Sequence, residues 1–378
     1  MQTGPMRVVV APDKFKGSLT AAEVADAVAS GLLEERPDLD IARVPIADGG
    51  DGTVAAALAR GFTEIVVEAA GPTGIRSRAS YARNGNQSVV ELAAVCGLDR
   101  LPGRRPDPLD ASTYGLGEVL RHAIEHGGRE ILLGVGGSAS TDGGAGMVQA
   151  LGARLLDTEG GDLRRGGAAL TSLVSLDLSG LRRTVESVRI VVASDVDNPL
   201  LGPRGAAAIF GPQKGADSED LRLLEAGLTR WSSVVCEAVG RDYVDRPGAG
   251  AAGGTGFAAL ALLSAELRPG IELILDMLRF DEALAGADLL ITGEGSLDEQ
   301  SLSGKAPIGV ARAAARESVP VVAVAGRTTL SRERLSAAGI QAAYPLSDLE
   351  PDQARSIANA AALLREIGGR IAVERLAP

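Results

Sequence analysis

Short β-branched runs that end in glycine- and aspartate-rich loops, each followed by a helix-forming stretch, set the tightest limit on what this chain can fold into. Arg7 to Ala11 is such a run, closed by Pro12. Thr20-Ala-Ala-Glu23 spells a capping box and predicts a helix to about Glu35. Ile41 to Ile46 predicts a second strand, which runs into Ala47-Asp-Gly-Gly-Asp-Gly-Thr53 and a helix through Ala59. The far end of the chain repeats the style. Ala287 to Thr292 predicts a strand, followed by the loop Gly293-Glu-Gly-Ser-Leu-Asp298 and a helix after Lys305. Pro320 to Ala325 and about Ile340 to Tyr344 predict two more strands. A helix near Arg332 to Ala338 separates them, and a long helix from Pro351 to about Val373 follows. Neither end makes a sheet alone, but together they supply a doubly wound parallel sheet. The expected fold class is therefore α/β, with residues 1–62 and 285–378 forming one domain and residues 63–284 inserted as a second α/β domain.

The inserted part is less regular. Ile65 to Glu68, Ser88 to Leu92, Glu130 to Gly134 and Arg189 to Ser194 read as strands, and Ser112 to His126 as a helix stopped by Gly127. The string Asp-Gly-Gly-x-Gly occurs at 48–52 and again at 142–146, too few copies for a repeat protein.

Composition narrows the function. A net charge of −11 argues against a general binder of nucleic acid or anionic membranes. Cys96 and Cys236 are the only cysteines, which excludes a disulfide scaffold and a thiolate zinc site and suits a reducing compartment. No apolar run approaches a membrane span, and the first residues lack the pattern of a signal peptide, so a cytoplasmic location is expected, with Met1 or Met6 as the start. Ten aromatic residues are too few for a base-stacking platform. Of the 38 basic residues only Lys14, Lys16, Lys214 and Lys305 are lysines, and all four sit in glycine-bearing loops. A compact ammonium in such a loop can hold phosphate as a point charge.

The strongest local signal is Gly134-Val-Gly-Gly-Ser-Ala-Ser-Thr-Asp-Gly-Gly-Ala-Gly146, between a predicted strand and a predicted helix. Glycines expose backbone N–H groups, and Ser138, Ser140 and Thr141 add hydroxyls, so the loop suits phosphate or carboxylate. It is neither a Walker A loop nor a dinucleotide fingerprint. Asp195, in Ser194-Asp-Val-Asp-Asn-Pro199, closes a strand where open α/β sheets bind ligands, and fits a general base or a magnesium ligand. An Asx-turn before the proline is the plain structural alternative. Asp48 and Asp51 carry the same ambiguity. Glu294 and Asp298, with Lys305 a few residues on, fit a magnesium-nucleotide site better than acid hydrolysis. His122 and His126 have the spacing of a metal pair but no third ligand, and read as a solvated helix face.

Together these motifs resemble the bacterial glycerate kinases of the type-1 family, from Val8 to about Gly326. The resemblance rests on Ala11-Pro-Asp-Lys-Phe-Lys-Gly-Ser-Leu19, Pro45-Ile-Ala-Asp-Gly-Gly-Asp-Gly-Thr53, Gly136-Gly-Ser-Ala-Ser-Thr-Asp-Gly-Gly144, Asp195-Val-Asp-Asn-Pro-Leu200, Phe210-Gly-Pro-Gln-Lys-Gly215 and Thr292-Gly-Glu-Gly-Ser-Leu-Asp298. It implies a Rossmann- or flavodoxin-like domain interrupted by a second α/β domain, and phosphorylation of D-glycerate by ATP with Mg²⁺, with the 2-phosphate favoured over the 3-phosphate. On this reading Asp195, Asp298 and Lys16 are catalytic. Gly136, Gly137, Ser138, Ser140, Lys214 and Lys305 bind the nucleotide phosphates, Asp48, Asp51 and Asn198 bind glycerate, and Asp195 and Glu294 hold the metal. These loops lie in both domains, so one site unites them only if the domains face each other. The family often has serine at position 14, which ranks Lys14 below Lys16 as an essential residue, and it often has asparagine at 141 and a non-acidic residue at 197, so no role is placed on Thr141 or Asp197. The rival readings are a nicotinamide-dependent hydroxy-acid oxidoreductase, disfavoured by the missing fingerprint, and a two-domain ligand-binding sensor without catalysis.

Overall fold

The structure is a computed structural model that describes residues 5–47 and 49–376, with Ser303 described by its backbone alone. In chain order its strands are β1 (Arg7–Pro12), β2 (Asp40–Arg43), β3 (Thr63–Ala70), β4 (Arg76–Asn84), β5 (Gln87–Glu91), β6 (Glu130–Gly134) and β7 (Arg154–Leu156). They continue with β8 (Ser175–Asp177), β9 (Arg189–Ala193), β10 (Glu266–Arg268), β11 (Leu289–Leu297), β12 (Val321–Thr328) and β13 (Ala342–Pro345). The chain divides into two compact units, residues 1–48 with 271–378, and residues 49–270. Both are α/β with parallel pairing.

The first unit is a five-stranded sheet in the order β13-β12-β11-β1-β2, parallel throughout. Numbered within the unit this is 2-1-3-4-5, the flavodoxin-like doubly wound order. The central strands are buried on both faces, which is why β1 and the first halves of β11 and β12 are aliphatic runs without polar alternation, whereas the edge strand β2 exposes Asp40 and Arg43. On one face Val8, Val10, Ile291, Val322 and Val324 pack with Val24, Val28 and Leu32 of helix Ala21–Glu35 and with Leu364, Ile367 and Ile371 of helix Ala360–Arg375. The capping box forms as its spelling requires. Thr20 Oγ1 accepts from the Glu23 N–H at 3.3 Å, and the Glu23 carboxylate accepts from the Thr20 N–H at 2.8 Å.

Two elements differ from expectation here. The Gly293-to-Leu297 stretch is strand rather than loop, because β12 extends alongside it and pairs Glu294 with Ala325, Ser296 with Arg327 and Leu297 with Thr328. The expected long C-terminal helix is two helices, Gln353–Ala358 and Ala360–Arg375, broken at Asn359.

The second unit is built on a six-stranded sheet ordered β10-β9-β6-β5-β4-β3. β3, β4 and β5 form an antiparallel meander, while β5, β6, β9 and β10 are parallel. Its core gathers Leu116, Leu120, Ile131, Leu133, Trp231 and Phe257. β7 and β8 pair separately. The compact units meet the chain at 48/49 and 270/271, both earlier in the sequence than the expected 62/63 and 284/285, for identifiable reasons. Gly52 and Val54, at the start of helix Thr53–Ala59, donate to Glu91 on β5, which ties that helix to the second unit. Ile271 packs so tightly on Gly309 that a Cβ there would lie 2.2 Å from its side chain, which ties the helix after Gly270 to the first.

The two helices on the first sheet cross at Gly31, where a Cβ would fall 1.8 Å from the Arg365 carbonyl oxygen. Gly31→Ala therefore forces the helices apart, and should lower stability by about 2 kcal/mol. Urea unfolding that gave an unchanged midpoint would contradict this contact.

Candidate functional site

In the second unit three adjacent parallel strands end in register. Glu91 of β5 lies opposite Gly134 of β6, which lies opposite Ala193 of β9. The glycine loop that leaves Gly134 and the Asp195 loop that leaves Ala193 therefore emerge side by side at the carboxyl end of the sheet, where open α/β sheets bind ligands. The loop at Gly49 and Gly50 lies against them. A Cβ on Gly136 would sit 2.8 Å from the Gly50 Cα, and one on Gly134 would sit 2.6 Å from the Gly49 carbonyl oxygen, so two backbones touch directly.

Glu91, 4% exposed, holds the Gly49–Thr53 turn from beneath. Its carboxylate accepts from the N–H groups of Gly52, at 3.2 Å, and Val54, at 3.1 Å. Asp51 is exposed at the tip of this turn. Asp48, expected to contact substrate, lies outside the described residues.

The glycine loop has a second buried carboxylate. Asp142 is fully buried and accepts from the backbone N–H groups of Thr113, Gly144 and Gly146 at 2.8–3.2 Å. The hydroxyls of Ser112 and Thr113 donate to it as well. Five donors from two chain segments thus replace the water that burial removed. Neither Glu91 nor Asp142 stands out in the sequence reading. A signal existed for each: Glu91 is a carboxylate ending the apolar run Ser88-Val-Val-Glu91, and Asp142 opens the second Asp-Gly-Gly-x-Gly string.

Lys214 is placed differently from expectation. It is 2% exposed, and its Nζ donates to Ser138 Oγ at 2.9 Å and to the Ser140 carbonyl oxygen. Burial lowers its pKa from the usual 10.5 to about 7, partly offset by the nearby Asp142 charge. Gly136 and Gly137 are the more open part of the loop. The hydroxyls of Ser140 and Thr141 are buried and have no hydrogen-bond partner among the described residues, which leaves two donors for an oxyanion or water. Cys96, under the same loop, has its thiol pushed up to about 12 by burial and is no nucleophile.

Asp195 is exposed, and one of its oxygens accepts from the Gly270 N–H at 2.8 Å. Asn198 is half-buried and donates to the Arg204 carbonyl, while Asp197 pairs with Arg204 at 3.3 Å.

In the first unit the order of strands reverses between β1 and β11, the switch point where such sheets bind ligands. Pro12 of β1 lies opposite Gly293 of β11, so the loop carrying Lys14 and the exposed Lys16 leaves the sheet beside the buried Glu294. Asp298 is tied into its own turn, where it accepts from the N–H groups of Gln300 and Ser301 and from Ser296 Oγ. Lys305 is half-buried at the start of helix Ala306–Arg316. His122 and His126 stack with ring centroids 3.9 Å apart, and among the described residues no group of three His, Cys, Asp or Glu gathers as a metal site.

A doubly wound sheet with charged loops at its switch point, and a second sheet whose carboxyl edge carries a glycine–hydroxyl loop, define an α/β protein built to bind an anionic ligand. Comparison narrows this class. Residues 8–375 match the model of the glycerate kinase family, so the chain belongs to that family. It is 42% identical over 344 residues to a glycerate kinase of Bacillus subtilis (strain 168), covering 90% of each chain. It is 45% identical over 327 residues to the glycerate 2-kinase of Escherichia coli (strain K12), covering 86% of each. A crystal structure assigned as a glycerate kinase 2 from Salmonella typhimurium LT2 superposes with a TM-score of 0.85 at 43% identity, covering 98% of each chain. No helix among the described residues is long and apolar enough to cross a membrane.

Two outcomes follow from the buried charges. Asp142→Asn turns an amide N–H₂ toward backbone donors, and should cost about 3 kcal/mol of stability in urea unfolding. The Lys214 shift fixes a pH dependence. Between about 7 and 10.5 the unfolded chain holds a proton on Lys214 that the folded chain has released, so stability rises with pH across that window. Measured against Lys214→Met, the wild-type advantage should climb from pH 7 toward pH 10. A flat difference would contradict the burial of this amine.

Proposed function

We propose that this protein transfers the γ-phosphoryl group of ATP to D-glycerate and yields 2-phosphoglycerate. The observation that carries the reading is the Gly134–Gly146 loop, where the half-buried Gly136, the exposed Gly137 and two buried hydroxyls without a partner among the described residues stand at the carboxyl end of β6 in a chain of the glycerate kinase family. The choice of the 2-hydroxyl follows the name of the Escherichia coli relative.

In this reading Gly136, Gly137, Ser138 and Ser140 donate to the nucleotide phosphates, and Lys16 and Lys305 add compact positive charge. Asp48, Asp51 and Asn198 hold glycerate. The family chemistry uses little covalent help from protein, so positioning and charge carry most of the rate. Asp195 accepts the hydroxyl proton. Its exposure and its orientation by the Gly270 N–H support it over Asp298, whose oxygens close a local turn. Mg²⁺ on the phosphates would offset the charge that moves during transfer. Glu294 is a carboxylate of the right type to hold it, and Asp195 would do so only in place of its role as the base. Two free cysteines suit a cytoplasmic setting.

A coupled ADP-release assay should respond to D-glycerate, and phosphorus NMR should place the product phosphate on C2. Asp195→Asn keeps the shape of the side chain and removes its basicity, so kcat should fall about a hundredfold or more while ATP affinity holds. Near-normal turnover in that variant would return Asp195 to the role of a turn former.

A further inference from the structure

We propose that Lys214 is a positioning residue: its amine ties Ser138 to Ser140 and so sets the shape of the phosphate loop before any nucleotide arrives. The inference rests on the reading of that loop as the phosphate-binding element. It departs from the simpler idea that Lys214 is itself a phosphate contact.

Three features of the geometry point this way. The two acceptors belong to the same short turn, one a side-chain hydroxyl and one a main-chain carbonyl two residues on. Bridging them fixes both the Ser138 rotamer and the peptide plane after Ser140, the two variables that decide where this turn aims its donors. Ser138 still has its own O–H to donate, because it receives the lysine bond on its oxygen.

The amine is also enclosed. Lys214 is 2% exposed, and its backbone is fixed in the short turn Pro212–Lys214, with its N–H on the Gly211 carbonyl. On the far side lies Gly253, held at φ +66°, where a Cβ would fall 2.9 Å from Nζ and 2.1 Å from the Ser140 carbonyl oxygen. Reaching a ligand would require the side chain to abandon both bonds and leave its pocket. With Gly253 this close to Nζ, the compact ammonium suits the pocket better than a wider guanidinium would, in a chain that has only four lysines.

The bridge survives loss of the charge. A neutral amine keeps two N–H donors for two acceptors, so the turn stays tied whether or not Lys214 is protonated. The charged group that faces it is Asp142, fully buried in the same loop, which supports the protonated form.

Amide hydrogen exchange on the nucleotide-free protein separates the two roles, with Lys214→Met as the variant. A positioning role predicts exchange over residues 136–142 at least about tenfold faster, with the first unit unchanged. In the kinetic assay it predicts a KM for ATP raised about tenfold and a kcat within about threefold of wild type. Lys214→Arg should rescue neither. Unchanged protection of the loop, together with a kcat lowered about a hundredfold, would overturn the proposal and make Lys214 a phosphate contact. Should Lys214→Met fail to fold, Ser138→Ala removes one of the two acceptors. Faster exchange over the same residues then supports the bridge, and unchanged exchange overturns it. The exchange arm needs no substrate, so a chain that released no ADP with glycerate would sink the functional reading and still leave this measurement to decide the bridge.

Discussion

The glycine loop of the second unit is shaped by two buried side chains, a carboxylate and an amine, that share a few residues of backbone. Asp142 draws in N–H groups from Thr113, Gly144 and Gly146, while Lys214 reaches Ser138 and the Ser140 carbonyl. Apolar packing specifies a shape only through volume, whereas an ion out of water demands a particular set of partners at particular distances. The partners here are mainly backbone groups. Large side chains on the loop would block that approach, and this is the physical reason the stretch is mostly glycine, serine and alanine.

Strand register brings these local networks together. In the second unit β5, β6 and β9 end at the same level, so Glu91, the glycine loop and the Asp195 loop share one edge. The first unit does the same with β1 and β11. In both, adjacent parallel strands hold short loops of polar residues, so the placement of each functional side chain depends on a buried ladder rather than on the loop itself.

What the sequence discloses and what it hides divide by distance along the chain. The Thr20–Glu23 capping box, the strand–loop–helix order and the split sheet are local or periodic signals, and they read directly. The continuation of β11 through Gly293 to Leu297 did not, because a glycine-rich stretch becomes strand only when a partner such as β12 runs beside it. β4, with arginines at 76, 78 and 83, lacks the aliphatic run that marks the parallel strands. The anchoring role of Glu91 depends on N–H groups 37 and 39 residues away, and that of Lys214 on acceptors 74 and 76 residues away. For Lys214 the residue type and its glycine-bearing loop were legible. The direction of its side chain was not, since that is decided by Gly253 and the turn it fills.

The pairing of β1 with β11 has a consequence for how the chain is made. The Arg7 N–H bonds Asp288 across 281 residues of sequence, and β1 sits between β2 and β11 in the sheet. At roughly 5–20 residues per second, a ribosome takes on the order of 14–56 seconds to deliver the second half of that pair. Residues 49–270 are all polymerised in the interval, with every strand of their own sheet included. The inserted unit can therefore mature first, while β1, aliphatic at Val8, Val9 and Val10, waits with one edge unpaired. Until β11 arrives, that edge is an exposed adhesive strand, and the nascent chain has its greatest need of chaperone cover at its oldest end.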